Sequence, residues 1–172
     1  MPNSASQTAG VPFGEAPRQV LTFYLGAENY GVDILRVQEI RGWSPVTRIP
    51  KAPLHVLGVL NLRGSVVPII DLRARFGLAL VECTALTVII VLSVKAADGQ
   101  RQFGLVVDRV SDVVDITPES IRAMPKLEHQ THNDFIQTLA VVDDQMLILL
   151  DVDALIALEI ATAALPDIAD VA

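Results

Sequence analysis

The apolar residues of this chain fall into short runs rich in Val, Ile and Leu, punctuated by Gly, Pro, Asn and Asp. Short β-branched runs bounded by turn residues predict strands rather than helices. Val20-Leu21-Thr22-Phe23-Tyr24-Leu25, the turn-like Gly26-Ala27-Glu28-Asn29 and a return run from Tyr30 predict a first hairpin. Residues 58–62 and 66–72 flank Arg63-Gly64-Ser65, a second hairpin signal. Pro68 inside that strand predicts an edge or a bulge, because proline has no N–H to donate. Residues 84–94 predict a long strand that returns through residues 102–107 after an Asp98-Gly99 turn. Residues 43–51 hold two prolines and predict a loop, and Pro53 at the start of residues 53–57 predicts one helical turn. Thr117-Pro118-Glu119-Ser120 predicts a short helix with a threonine cap. Asp153 is the expected N-cap of a C-terminal helix over residues 154–164, stopped by Pro166.

The pattern also repeats. Tyr30-Gly31-Val32-Asp33-Ile34-Leu35-Arg36-Val37-Gln38-Glu39-Ile40 aligns without gaps on Phe103-Gly104-Leu105-Val106-Val107-Asp108-Arg109-Val110-Ser111-Asp112-Val113, 73 residues later. Ser65-Val66-Val67-Pro68-Ile69-Ile70-Asp71-Leu72 aligns on Gln145-Met146-Leu147-Ile148-Leu149-Leu150-Asp151-Val152, 80 residues later. Two blocks in the same order at nearly the same offset predict one small module used twice.

Many short strands, Gly/Pro turns and little helix place the chain in the all-β class. Each copy supplies about five strands, enough for one small barrel of the SH3-like kind, which hides its edges by closing. Two units of roughly 60–70 residues are each marginal alone, so they are expected to pack together and leave a groove for a partner. The expected organisation is a disordered leader over residues 1–17 and a core over residues 18–158. Within the core, a first barrel covers about residues 20–80 and a second about residues 84–152, with ends free to interlock; residues 159–172 form a tail.

Composition narrows the function. Of 172 residues, 51% are apolar and 19% charged, with a net charge of −7. The Lys and Arg residues stand singly, without the basic cluster that displaces counterions from phosphates, so nucleic acid is not an expected partner. No apolar run approaches the ~18 residues of a membrane span, no secretory signal is visible, and the single Cys83 cannot form an internal disulfide. A cytoplasmic protein without direct membrane insertion is expected.

Candidate chemistry is sparse. Asp33, Asp71, Asp108 and Asp151 invite an acid–base reading, as in a hydrolase or a small-ligand barrel. Asp71 and Asp151 occupy equivalent strand ends, which points to a repeated turn. His129 and His132 have a spacing that can share a metal, but they lie in a polar stretch where no Cys or clustered carboxylate completes four ligands. No phosphate-binding loop or nucleotide fingerprint occurs. No enzyme activity, cofactor or metal is expected.

The blocks from Tyr30 to Gly42, from Gly58 to Leu72 and from Phe103 to Val110 together resemble the CheW family of bacterial chemotaxis coupling proteins. The most specific element is Asn61-Leu62-Arg63-Gly64 followed by Pro68-Ile69-Ile70-Asp71, and the resemblance spans roughly residues 19–156. It implies two interlocked five-stranded SH3-like barrels with a short C-terminal helix. It also implies a non-enzymatic adaptor joining the regulatory domain of the histidine kinase CheA to the cytoplasmic tips of methyl-accepting chemoreceptors, in arrays at the inner face of the membrane. An adaptor of the same fold in a twitching or surface-sensing system is the alternative.

Receptor-contact positions carried over by the resemblance are Val32, Leu35, Glu39, Phe103 and Gly104. Val32 and Phe103 read equally well as strand core. The two aromatic-Gly pairs are expected to face each other, with glycine admitting a partner's backbone. Glu39 is expected to be exposed, so that Glu39→Lys weakens receptor binding and leaves the fold intact. Asn61, Arg63 and Gly64 form the family's hairpin, Arg63 either bracing loop carbonyls or meeting a kinase carboxylate. One departure stands out: Phe135-Ile136-Gln137-Thr138 lacks the glycine common at its last position, so Thr138 is expected in ordinary strand geometry.

Overall fold

The computed structural model describes residues 19–79, 81–96, 99–123 and 135–161. The expected leader, the His129/His132 stretch and the tail beyond residue 161 lie outside the described residues. Among the described residues eleven strands run β1 Gln19–Leu25, β2 Glu28–Asp33, β3 Val37–Gly42, β4 Val56–Leu62, β5 Ser65–Asp71, β6 Val88–Ala96, β7 Gly99–Val107, β8 Arg109–Asp115, β9 Ile121–Arg122, β10 Ile136–Val142 and β11 Gln145–Leu150. Two short helices, α1 Leu72–Arg75 and α2 Val152–Ala161, follow β5 and β11, and one-turn 3-10 helices span Ile34–Arg36 and Pro118–Ser120. The all-β class with a short C-terminal helix is as expected.

The strands form a six-stranded sheet in the order β8-β1-β2-β11-β10-β9 and a five-stranded sheet in the order β3-β6-β7-β5-β4. The sixth strand, unexpected from the sequence, is the two-residue β9. Each sheet draws on both halves of the chain. The first hairpin of one copy pairs with the later strands of the other, so the two sheets interlock. The exchange is symmetric in register: Gly31 on β2 pairs in parallel with Leu149 on β11, and Gly104 on β7 pairs in parallel with Ile69 on β5. These partners are the very residues related by the two sequence offsets. The repeat therefore encodes a repeated set of pairings.

Three clusters make the core. The largest lies between the sheets and includes Phe23, Tyr30, Val32, Ile70, Leu92, Phe103, Leu105, Leu150 and Leu155. Two smaller clusters belong one to each sheet, on the face away from the shared cluster: Val20, Ile116, Ala140, Leu147 and Leu149 in the first, Val67, Ile69, Ile89, Val91 and Val106 in the second. Alternation along each strand divides its residues between the shared cluster and its own. Each such side chain contributes about 1.5–3 kcal/mol on full burial, so the shared cluster welds the sheets.

Turns and closures follow from local chemistry. Arg63 and Gly64 both have positive φ, 55° and 86°, which gives the tight β4–β5 hairpin its primed turn. Asp143 and Asp144, 80 residues on, make the same turn with φ of 50° and 63°. The five-stranded sheet closes beyond β3, where Thr47 exchanges backbone hydrogen bonds with Val59 at 2.9 and 2.8 Å. That approach demands Gly58: a Cβ there would lie 2.1 Å from the Thr47 carbonyl oxygen, and φ is +151°. In the six-stranded sheet β9 plays the part of Thr47, pairing Arg122 with Leu139. The residue equivalent to Gly58 is Thr138, which sits in β10 with no positive φ, beside a bulge, and donates its hydroxyl to the Arg122 carbonyl at 3.2 Å.

Three local expectations are corrected. Residues 53–56 form a turn, with the Val56 N–H on the Pro53 carbonyl at 3.0 Å, because β4 begins at Val56 and leaves no room for a helix. Residues 84–87 form another turn, the Thr87 N–H on the Thr84 carbonyl at 3.2 Å, before β6 starts at Val88. The C-terminal helix begins at Val152, so its cap is Asp151, whose carboxylate accepts the Ala154 N–H at 3.1 Å. Asp153 lies inside the first turn and is free for another task.

Candidate partner-binding site

The sequence candidates separate into buried and exposed groups. Val32 and Phe103 are each 1% exposed and belong to the cluster between the sheets. Gly104 is buried as well. A Cβ on it would meet Ile69 Cδ1 at 2.5 Å and Ile89 Cγ2 at 2.8 Å. A Cβ on Gly31 would likewise meet Leu149 Cδ2 at 2.9 Å. The paired glycines thus make room for the chain's own small clusters, a correction to the expectation that they admit a partner's backbone. Their neighbours Val32 and Phe103 face the shared core.

Leu35 is the opposite case. It is 84% exposed on the 3-10 turn Ile34–Arg36, where the chain crosses from one sheet to the other. The turn is held at both ends. At its start the Asp33 carboxylate accepts the Leu35 N–H at 2.9 Å, and at its end the Val37 N–H closes on the Ile34 carbonyl. Ile34 packs against the shared core. A large apolar side chain is thereby fixed in solvent on a short, anchored turn, and that is how a binding anchor is built.

Glu39 is half-buried, its side chain 30% exposed, which corrects the expectation that it is exposed. A register shift after Val37 sets Glu39 opposite Val91 and Arg41 opposite Ile89, on the face of the five-stranded sheet that carries its own small cluster. Glu39 lies 3.8 Å from Arg41 and 3.8 Å from Arg63. β3 and β4 are opposite edges of their sheet, so the Glu39–Arg63 pair spans the closure and joins two candidates that the sequence left apart. Arg63 itself is 87% exposed. The hairpin is organised by Asn61, whose side-chain carbonyl accepts the Gly64 N–H at 3.0 Å. The exposed residues Leu35, Ile40 and Arg63, with Glu39 and Arg41 beneath, belong to the crossover turn and the two edges of this sheet.

Charged residues to which the sequence reading gave other roles hold the two crossovers. Asp153 on α2 takes the Arg36 guanidinium at 2.5 Å on one oxygen and the Lys95 backbone N–H at 3.0 Å on the other. At the second crossover Arg73 clamps Asp108 through two nitrogens, one at 2.6 Å, and Asp108 also accepts the Gly26 N–H at 2.7 Å. The Arg73 guanidinium holds the Asp108 carboxyl below the usual carboxylate range. Burial raises Asp71, outweighing the Ala74 and Arg73 N–H groups that favour its charge. Asp71 caps α1 as Asp151 caps α2, so the strand-end aspartates are turn and cap residues. The partners in the first latch are 117 positions apart, a separation at which no local signal marks them.

Two of the cavities among the described residues lie beside the sheets. One of about 470 Å³ opens at their junction between Tyr30, Arg75, Phe76, Leu78 and Phe135. Phe76 stacks on Phe135 with centroids 5.0 Å apart. The other, about 400 Å³, lies at one end of the five-stranded sheet between Trp43, Arg48, Leu57, Asp71 and Cys83. None of the five receptor-contact candidates lines either. Partial burial, then the charge of Asp71, push the Cys83 thiol up and away from reactivity.

Comparison with known proteins gives this geometry its context. The model of the CheW-like domain matches residues 19–159. The chain belongs to the CheW family. Chemotaxis protein CheW of Klebsiella aerogenes is 44% identical over 156 residues, covering 91% of this chain and 90% of its own. A probable chemotaxis protein CheW of Rhizobium etli is 39% identical over 141 residues, 82% of this chain and 88% of its own. Among solved structures, the scaffolding protein TtCheW from Thermoanaerobacter tengcongensis superposes with a TM-score of 0.70 at 32% identity, over 78% of this chain and 89% of that one. CheW-family proteins are chemotaxis scaffolds, or adaptors. Among the described residues no helix is long and apolar enough to cross a membrane.

Proposed function

We propose that this protein is a non-enzymatic scaffold that couples chemoreceptor cytoplasmic tips to the regulatory domain of the histidine kinase CheA. Family membership over nearly the whole described chain supports the signalling role. The observation that carries the binding reading is Leu35, a large apolar residue held 84% exposed on a turn anchored by Asp33, Ile34 and Arg36. Val32 and Phe103 belong to the cluster on which Ile34 of the same turn packs, and Glu39 with Arg41 and Arg63 forms a charged group at the closure of the five-stranded sheet. Binding needs no bond to be made or broken: a scaffold biases a kinase by differential contacts.

The test is co-purification of the full chain with a receptor cytoplasmic fragment and, separately, with the kinase regulatory domain. Both complexes are expected, and neither forming would defeat the proposal. Leu35→Ser should weaken receptor binding about tenfold or more, as anchors in interface centres do, and leave kinase binding unchanged. Glu39→Lys would set three cations together at a half-buried site. Glu39→Gln, which keeps the shape, is therefore the variant that reads binding.

A further inference from the structure

Leu35 protrudes from a turn of only three residues, and such a turn keeps its shape only if both flanks are fixed. The leading flank is fixed locally by Asp33. The trailing flank depends on a residue far along the chain. Arg36 is largely covered, its side chain 22% exposed, and it meets the carboxylate of Asp153 at 2.5 Å. The same carboxylate accepts the Lys95 backbone N–H near the end of β6 at 3.0 Å. Asp153 is itself immobilised, because Val152, Leu155 and Ile156 of α2 are buried in the cluster between the sheets. One side chain thus ties together the crossover turn, β6 of the five-stranded sheet and the helix that follows the six-stranded sheet.

We infer that Asp153 is a positioning residue for partner binding: through Arg36 it holds the Ile34–Arg36 turn in the orientation that presents Leu35, and so makes α2 part of the binding apparatus without touching the partner. The ion pair at one oxygen sets the turn, and the backbone N–H on the other oxygen sets the distance to β6. The second crossover lacks this function. Its latch has the reverse polarity, Arg73 on α1 and Asp108 on the crossover, and Asp108 occupies the place of Leu35 in the repeat. Only the first crossover offers an apolar anchor to be positioned. The inference rests on Leu35 being the receptor-facing residue, but the positioning can be read without any partner.

The experiment uses the full chain with Asp153→Asn, which keeps an acceptor for the Lys95 N–H and loses the charge, alongside Arg36→Ala and the double variant. Amide hydrogen exchange should show Val37, whose N–H closes the turn, losing protection about tenfold in Asp153→Asn, with the amides of β6 and β7 unchanged. Affinity for the receptor fragment should fall about fivefold or more, with kinase-domain affinity held. The two single substitutions should not add in the double variant, since each breaks the same bond. Unchanged Val37 protection, a uniform rise in exchange across the core, or equal loss of both partners would overturn the inference. Wild-type protein that retains no receptor fragment would defeat the functional reading, and the exchange profile would still decide the positioning.

Discussion

At the residue scale the two copies differ most instructively at Gly58 and Thr138. Both sit beside a bulge opposite equivalent residues, Ile69 and Leu149. Where Thr47 crosses Gly58, backbone meets backbone and no side chain fits. Where Arg122 crosses Thr138, the strand offers its carbonyl to a hydroxyl. Gly58→Ala should therefore destabilise by about 2–4 kcal/mol, adding a steric overlap to a strained φ. Thr138→Gly should cost only about 1–2 kcal/mol, from a lost hydrogen bond and strand propensity. Urea denaturation of both variants checks the ordering, and a larger loss at Thr138 would contradict it. The same scale explains why Val32, Phe103 and Gly104 are poor guides to the surface. An aromatic-Gly pair in a strand looks alike whether the glycine serves a partner or, as here, makes room for Ile69 and Ile89.

At the element scale the charges at the second crossover and the start of α1 leave a pH signature. Asp108 has its pKa depressed by Arg73, so the folded state releases this proton more readily than the unfolded chain. The stability it contributes is present above the ordinary carboxylate value, about 4, and is lost as pH falls through its lower folded value. Asp71 has the opposite shift, raised by burial, so protonation favours its folded form and it loses stability as pH rises through the window above about 4. Asp108→Asn should flatten the acid limb of a stability–pH profile below about pH 4, and Asp71→Asn should flatten the limb above it. Chemical denaturation midpoints between about pH 2.5 and 7 would show both. Identical profiles for wild type and Asp108→Asn would remove the latch from the account. The helices obey the same local rule twice, an aspartate capping the turn after β5 and after β11, which is why repetition marked caps and not catalysts.

At the scale of the whole molecule the interlocking is the organising fact. Because each sheet needs strands from both halves, residues 1–80 and 81–172 expressed separately should each lack native β-structure by circular dichroism. Mixed, they should regain it in proportion to the complex formed, whereas a folded half alone would argue against the exchange. The sequence by itself determined the all-β class, the strand-and-hairpin order, the repeat and, through its motifs, the family, because these rest on periodicity, turn chemistry and residue order along the chain. It did not decide which hairpin pairs with which copy, since alternating apolar strands fit either partner and only mutual burial selects one. Nor did it decide which candidates are surface and which are core, or that Asp153 holds Arg36 across 117 positions. Those depend on distances that exist only once the sheets are welded. Leu35 shows the division: the chain supplies an unremarkable leucine, and the tertiary structure turns it outward and locks it there.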